Sequence, residues 1–203
     1  QKYGFELPST SSKLAGFHDT DEDGSYNPCN GDYPIIEIRG CPPKFYGDQM
    51  IFWIYNDAGN THKASGGQPI QMEVQVQAFA WQASDAINNM TFLRYKLINK
   101  ATDRIQRCYF AKWIDPDLGC HSDDYIGCDT THVLTKSGLR SRALMYIYNS
   151  DATDGVGGCT CPGGTPTYCN DIPILGVDYF RGPFGPDTTQ PGEPLIELGM
   201  SSF

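Results

Sequence analysis

The sequence predicts an all-β fold, an antiparallel β-sandwich of jelly-roll type with long calcium-binding, disulfide-stapled loops. The first observation is compositional: the 203 residues include 18 Asp but only 6 Glu, together with 22 Gly and 14 Pro. Asp, Gly and Pro favour turns, whereas Glu favours helices. The second observation is that apolar and polar residues alternate in several segments, the period of a β-strand. The third is that no segment shows a convincing helical period. Short strands separated by turns indicate an antiparallel sandwich.

The chain begins with a polar lead-in over residues 1–18, and we expect a single β-sandwich domain over 19–203. The first predicted strand is Ile35–Ile38, and Met50–Tyr55 follows as a buried strand. The clearest alternation is Pro69–Gln82, in which apolar residues alternate with Gln and Glu. That period of two predicts one face in the core and one face in water.

Further strands are predicted along the rest of the chain at similar spacing. They are Met90–Asn99, Arg104–Trp113, Leu144–Asn149 and Ile174–Phe180. The short connection at 99–103 is suited to a hairpin between the first two of these. The apolar-alternating segment 195–203 stops without a closing turn, so we expect the chain to be a fragment of a longer polypeptide.

The stretch from Asp19 to Asn30 contains three carboxylates at alternate positions followed by Gly24. Alternate residues of a tight loop converge on one point, which is what a hard divalent cation needs. The twelfth position is Asn30, so we expect Asp32 to take the place of the Glu of an EF-hand. Pro28 and the turn after it exclude an exit helix. The predicted calcium ligands are Asp19, Asp21, Asp23, Asp32 and the backbone carbonyl of Ser25. The alternative is an acidic surface turn that binds nothing.

A second acidic segment carries five carboxylates within 15 residues. They are Asp115, Asp117, Asp123, Asp124 and Asp129. Charges held so close repel one another, and calcium would relieve the repulsion. The alternative is a solvated acidic loop with a salt bridge to Arg140 or Arg142. Asp151 with Asp154 is a third candidate, although such a pair is more typical of a turn.

Eight cysteines between turn residues favour disulfides and an oxidising extracellular location. Local spacing predicts two bonds, Cys29 with Cys41 and Cys120 with Cys128. The remaining four would share two more bonds, with their pairing left open: Cys108, Cys159, Cys161 and Cys169. A zinc knuckle at three of these residues, Cys159, Cys161 and Cys169, is the alternative, and it lacks an evident fourth ligand.

The charge and the motifs exclude several function classes. A net charge of -9 argues against binding to nucleic acid or to an anionic membrane. No apolar run is long enough to insert into a membrane. No zinc-protease, nucleophile-elbow or phosphate-loop motif is present, and the four histidines are scattered. We therefore expect no enzymatic activity.

Several stretches resemble a module found in very large secreted proteins of the Bacteroidetes. The likeness runs from residue 19 onward. Its main stretches are Asp21–Pro28, Gly31–Pro34, Gln71–Phe79, Phe92–Asn99, Trp113–Gly119, Asp123–Asp129 and Gly176–Pro183. Proteins of this kind typically end in a C-terminal sorting domain for type IX secretion. The resemblance implies a location outside the cell or on its surface, and an adhesive, gliding-related or structural role.

The favoured hypothesis is a non-enzymatic, calcium-stabilised extracellular module with a structural or adhesive role. Its expected partners are calcium and other protein modules or copies of itself, reached through loops or strand edges. A carbohydrate-binding module of a secreted hydrolase is the alternative, with glycans stacking on Trp53, Trp81 or Trp113. Because each Trp lies in a predicted strand, core burial is the favoured fate of these side chains. A hydrolase that uses the acidic segment is a third hypothesis without an assignable base or nucleophile.

Overall fold

The computed structural model describes residues 15–38, 47–135, 138–155, 167–186 and 195–202. Regular structure in these ranges consists of β-strands and three short 3-10 turns, without an α-helix, so the all-β class is confirmed. Each pairing between these strands is antiparallel. In the part of the chain that is described, no helix has the length and apolar character needed to cross a membrane.

The strands are short and follow one another closely. In chain order they are β1 (Phe17–His18), β2 (Tyr33–Pro34), β3 (Gln49–Asp57), β4 (Met72–Ala80), β5 (Phe92–Asn99), β6 (Asp124–Asp129), β7 (His132–Thr135), β8 (Gly138–Ser141), β9 (Leu144–Asn149), β10 (Leu175–Asp178), β11 (Phe184–Gly185) and β12 (Ile196–Glu197). The 3-10 turns are Pro28–Asn30, Ala86–Asn89 and His121–Asp123. The chain forms two compact units, Gln1–Phe110 and Ala111–Phe203.

The first unit is built on a three-stranded sheet in the order β3-β4-β5. The predictions of strands at Met50–Tyr55, Pro69–Gln82 and Met90–Asn99 are confirmed, with ends shifted by a few residues. The first of these is not the buried strand that the sequence predicts, because Ile51 is 56% exposed and Tyr55 48% exposed. The central strand β4 carries the core of this unit, since Val76 is fully buried and Val74 nearly so. Alternation therefore located the central strand of this sheet correctly.

The polar face of β4 does not lie in water, contrary to the sequence prediction. Gln75 and Gln77 are each only 4% exposed. The Nε2 of Gln77 donates to the carbonyl of Ile35 at 3.1 Å, and its Oε1 accepts from Arg94 at 3.2 Å. The predicted strand Ile35–Ile38 is absent and only Ile36 makes a β-bridge there. Buried amides of this kind need such partners, because an unpaired one is costly.

The predicted strand Arg104–Trp113 is also wrong, and so is the hairpin expected at 99–103. The segment has no strand residues, and Arg107 adopts a positive φ of 53°, which breaks an extended run. The turn is instead closed by the Asn99 side chain, whose Nδ2 donates to the carbonyl of Asp103 at 2.9 Å. Local side-chain hydrogen bonds of Asn compete with sheet pairing in this way.

The second unit contains a three-stranded sheet in the order β10-β9-β6 and two two-stranded ladders, β7-β8 and β11-β12. The predicted strand at Leu144–Asn149 is confirmed as β9, and the one at Ile174–Phe180 is confirmed in the shorter form β10. Strand β6 was missed, because its carboxylates made the whole segment 115–129 look like a loop. The fully buried Ile147 on β9 anchors this sheet.

The two local disulfides predicted from spacing do not form. Cys29, Cys108 and Cys128 are exposed free thiols, so Cys29 is not bonded to Cys41 and Cys128 is not bonded to Cys120. Strand β6 explains the second case: residues 124–128 run extended for about 13 Å, whereas bridged cysteines need α-carbons within about 7 Å.

Two further cysteines, Cys120 and Cys169, are disulfide-bonded. Cys41, Cys159 and Cys161 lie outside the described residues, and with them part of the proposed zinc knuckle.

Candidate cation-binding loops

The first acidic loop is closed at its base by the ladder between β1 and β2. His18 pairs with Tyr33 in this ladder, so the residues that flank it, Asp19 and Asp32, emerge side by side. Gly24 has a positive φ of 79° at the tip of the turn, where glycine is the favoured residue. Two residues of sheet are thus enough to bring the two ends of a 14-residue acidic segment together.

Three of the predicted ligands converge in this loop. Asp19, Asp21 and Asp32 each offer a carboxylate oxygen, and these oxygens lie within 4.8 Å of one another. Asp32 is buried, whereas Asp21 is exposed and Asp19 is half-buried. None of the ion pairs found in the described part of the chain involves these three side chains.

Backbone amides hold two of these carboxylates in position. Oδ2 of Asp19 accepts from the N–H of Gly24 at 2.7 Å. Oδ1 and Oδ2 of Asp32 accept from the N–H groups of Thr20 and Asn27, each at 2.8 Å. The amides of Thr20 and then Asn27 lower the pKa of Asp32, so its carboxylate is ionised at neutral pH. Each oxygen retains a lone pair for a metal ion.

The other predicted residues of the loop have different partners. Asn30, at the position where an EF-hand carries Glu, donates from Nδ2 to Oδ2 of Asp21 at 2.6 Å and so orients a candidate ligand. Oδ1 of Asp23 accepts from the N–H of Ser25 at 2.7 Å, and Asp23 does not belong to the converging group. The carbonyl of Ser25 remains a predicted ligand.

Strand β6 separates the carboxylates of the second acidic segment instead of bringing them together. Asp124 begins this strand and Asp129 ends it, while Asp115 and Asp117 are exposed on the irregular chain before it. The five carboxylates therefore do not form one cluster.

Asp129 has partners of its own at the far end of β6. The hydroxyl of Thr131, followed by its N–H and by the Arg142 guanidinium, lowers the pKa of Asp129. Arg142 Nη1 lies 3.3 Å from Asp129 Oδ2. A salt bridge to Arg142 is what the alternative hypothesis of an acidic loop predicts for this residue.

The other end of β6 forms a buried group that includes a residue outside the predicted set. One ligand atom each of Cys120, Asp123 and Asp154 lies within 4.8 Å of the others, and all three residues are buried. Asp154 Oδ1 accepts from the N–H of Cys120 at 2.9 Å. Because Cys120 is disulfide-bonded, its sulfur is not a thiolate, so the carboxylates are the donors available to a cation. Asp154 lies 30 residues after Asp124 in the sequence. The residues around Asp154 are typical of a turn, so the local sequence did not indicate that its side chain is buried.

A His–Asp pair in the first unit was not expected from the sequence. Nε2 of His62 lies 2.6 Å from Oδ1 of Asp57, and Oδ2 of Asp57 accepts from the N–H of Ile70 at 2.9 Å. The Ile70 amide, followed by His62, lowers the pKa of Asp57. The bond from Ile70 to Asp57 ties together the ends of the connection between β3 and β4, and His62 packs the middle of the connection against the same carboxylate.

The tryptophans differ from the expectation of core burial. Trp113 is 80% exposed and Trp53 is 38% exposed, whereas Trp81 packs edge-to-face against Phe79 and Phe92. Trp113 is exposed because the strand predicted around it does not form.

Comparison with known proteins gives no relative from which a role can be carried over: no family model matches the chain, and searches of curated proteins and of solved structures find no match.

Proposed function

We propose that this chain is a non-enzymatic structural or adhesive module of a secreted bacterial surface protein, stabilised by calcium in the loop between β1 and β2. The observation that supports it is the convergence of Asp19, Asp21 and Asp32 within 4.8 Å. The type IX secretion context rests on the resemblance to large Bacteroidetes proteins, and the extracellular location rests on that resemblance and on the cysteine content.

The electrostatics of the loop favour a bound cation. Three carboxylates this close repel one another, and no ion pair in the described residues neutralises them. The backbone amides that hold Asp19 and Asp32 keep both side chains in place before an ion arrives. Such preorganisation lowers the cost of binding.

The ligand chemistry favours calcium over magnesium or zinc. The candidate donors are carboxylates and the backbone carbonyl of Ser25, whereas zinc prefers His and Cys, and magnesium demands near-ideal octahedral geometry. Extracellular calcium modules bind weakly, with Kd values of about 10⁻⁴ to 10⁻³ M. The function that follows is mechanical: a loop made rigid by an ion presents a defined surface to neighbouring modules.

A thermal melt tests this proposal. Calcium should raise the Tm of the EGTA-treated chain by several degrees, and magnesium at the same concentration should raise it less. In Asp19→Asn the calcium response should fall by more than half. Asp103→Asn is the matched control, because Asp103 is exposed in the same unit and lies outside the loop. An equal calcium response in both variants would contradict the assignment.

Carbohydrate binding is a second candidate, favoured by one observation. Trp113 is 80% exposed, and an exposed indole is a stacking platform for a sugar ring. A glycan array with the intact chain and with Trp113→Ala tests it. Binding that disappears in Trp113→Ala but survives in Trp53→Ala would favour a glycan-binding module; an array without signal would exclude it for the glycans present.

A further inference from the structure

Three side-chain oxygens in the second unit are buried without a hydrogen-bond partner. They are Asp123 Oδ1, Asp124 Oδ1 and Asn149 Oδ1, and no group in the described residues donates to them. All three are acceptors. Buried polar atoms are normally paired, so an unpaired group of one kind indicates a missing partner of the opposite kind.

The three oxygens belong to residues at one end of the ladder between β6 and β9. Asp124 lies directly opposite Asn149, and side chains that face each other across an antiparallel pair have β-carbons about 5 Å apart. Asp123 precedes this pair, and its carbonyl accepts from the N–H of Ser150 at 2.7 Å. The ladder therefore places three orphaned acceptors within two consecutive residue pairs.

A third carboxylate adds to the negative charge. Asp154 is fully buried and Asp123 is 6% exposed, and their ligand atoms lie within 4.8 Å of each other. None of the ion pairs found in the described residues involves Asp123 or Asp124. Adjacent carboxylates without a counter-ion repel strongly where water is excluded.

Asp123 and Asp124 are each anchored through one oxygen. Asp123 Oδ2 accepts from the N–H of Gly155 at 3.3 Å, and Asp124 Oδ2 accepts from the N–H of Leu118 at 2.8 Å. The amides fix the side chains and leave the other oxygen of each, the orphaned one, available. An anchored carboxylate with a free oxygen is the arrangement that supports a metal ligand.

We propose that a divalent cation of the calcium type binds at this ladder-end site, defined as Asp123, Asp124, Asn149 and Asp154. A single water molecule does not fit the same observations as well, because it donates two hydrogen bonds to three acceptors and brings no positive charge. The site is independent of the β1–β2 loop, since it uses other residues in the other unit. It extends the proposed function by giving each unit its own ion.

Hydrogen exchange on the intact chain tests the proposal, with calcium added after EGTA treatment. Calcium should slow the exchange of the β6 and β9 amides by about tenfold when its free concentration is ten times Kd. In Asp123→Asn this protection should be lost. Asn149→Asp should keep it, because a carboxylate replaces an amide oxygen. Asp171→Asn, an exposed carboxylate of the same unit, is the matched control.

The Tm of Asp123→Asn without calcium distinguishes a role of Asp123 as a cation ligand from a purely structural role. Without calcium, Asp123→Asn removes one buried charge and supplies two N–H donors beside orphaned acceptors, so its Tm should equal or exceed that of the parent chain. A Tm that falls equally with and without calcium would overturn the proposal. So would the absence of calcium protection in β6 and β9 of the parent chain.

The loop site and the ladder-end site can each be disproved without affecting the other. Asp19→Asn should remove protection near β1 and β2 and leave β6 and β9 protected, and Asp123→Asn should do the reverse. If Asp19→Asn changes nothing while Asp123→Asn removes protection, the ladder-end site stands and the loop site is wrong. The opposite pattern supports the loop and overturns the ladder-end site.

Discussion

Gly119 lies against the carboxylate of Asp154, and a β-carbon at position 119 would overlap both Oδ2 and the carboxyl carbon of that side chain. Gly119 also has a positive φ of 77°, a conformation that other residues rarely adopt. The fully buried Asp154 therefore depends on a glycine 35 positions earlier. The amide of Cys120 donates to this carboxylate and holds it within the ladder-end site.

Replacing Gly119 with alanine should destabilise the second unit. The added methyl group must displace a buried carboxylate from its amide donors, and we expect a loss of about 2–4 kcal/mol from overpacking and backbone strain together. Urea unfolding of Gly119→Ala measures it. Gly199→Ala is the control, because nothing lies within 4 Å of a β-carbon built there. Equal midpoints for the two variants would disprove the steric argument.

The Asp57–His62 pair should make the connection between β3 and β4 sensitive to acid. The pKa of Asp57 is lowered in the folded protein, so its carboxylate stabilises the fold above the pKa of the unfolded chain, about 4. This stabilisation is lost as the pH falls through the lower, folded-state pKa. The difference in stability between the parent chain and Asp57→Asn should therefore be complete near pH 6 and shrink below about pH 4. Denaturant titrations at several pH values measure this difference, and one that stays constant to pH 2 would contradict it.

The buried amide of Gln77 should contribute to the stability of the first unit. Gln77→Ala leaves the carbonyl of Ile35 without its side-chain donor and opens space in the sheet, so we expect a loss of about 1–3 kcal/mol. Gln49→Ala is the control, because Gln49 is an exposed residue of the neighbouring strand β3. Chemical unfolding followed by tryptophan fluorescence measures both. A loss no larger than that of the control would mean that the amide is dispensable.

The thiol assignment predicts a labelling pattern. A maleimide added to the native, unreduced chain should modify Cys29, Cys108 and Cys128, which are exposed, and should spare Cys120 and Cys169. Peptide mass mapping reads the sites directly. A bond between Cys120 and Cys128 in such a map would restore the pairing that spacing alone predicts.

Local sequence patterns located β3, β4, β5 and β9, with alternation of apolar and polar residues clearest in β4 and an apolar run in β3. The period of a strand is a local property, so these patterns could be read without the fold. The composition predicted the all-β class, and no α-helix forms in the ranges that the structure describes. Alternation failed where a polar face is buried. Gln77 has the sequence signature of a solvent-facing residue, yet an extended segment some 40 positions earlier covers it. A local pattern carries no information about whether a segment far away in the sequence, such as that around Ile35, buries a residue.

Of the two candidate cation sites, the sequence predicted the one whose residues lie close together in the chain and missed the one whose residues lie far apart. Asp19, Asp21 and Asp32 lie within one turn-forming segment, and their spacing was enough to expect convergence. The ladder-end site joins Asp123 and Asp124 to Asn149 and Asp154, and only the pairing of β6 with β9 places these residues together. The strand that separates Asp124 from Asp129 also removed Asp129 from the predicted cluster, because an extended chain holds its ends apart.

By itself, then, the amino-acid sequence determined the strand-and-turn class, the acidic character and the short-range loop in which alternate aspartates meet. Tertiary structure decided the division into two units, the covered face of β4, which cysteines stay free, and the meeting of carboxylates at the end of the β6–β9 ladder. The physical reason is that propensity and spacing act over a few bonds. Burial, strand register and steric contacts such as that of Gly119 with Asp154 depend on segments that only the folded chain brings together.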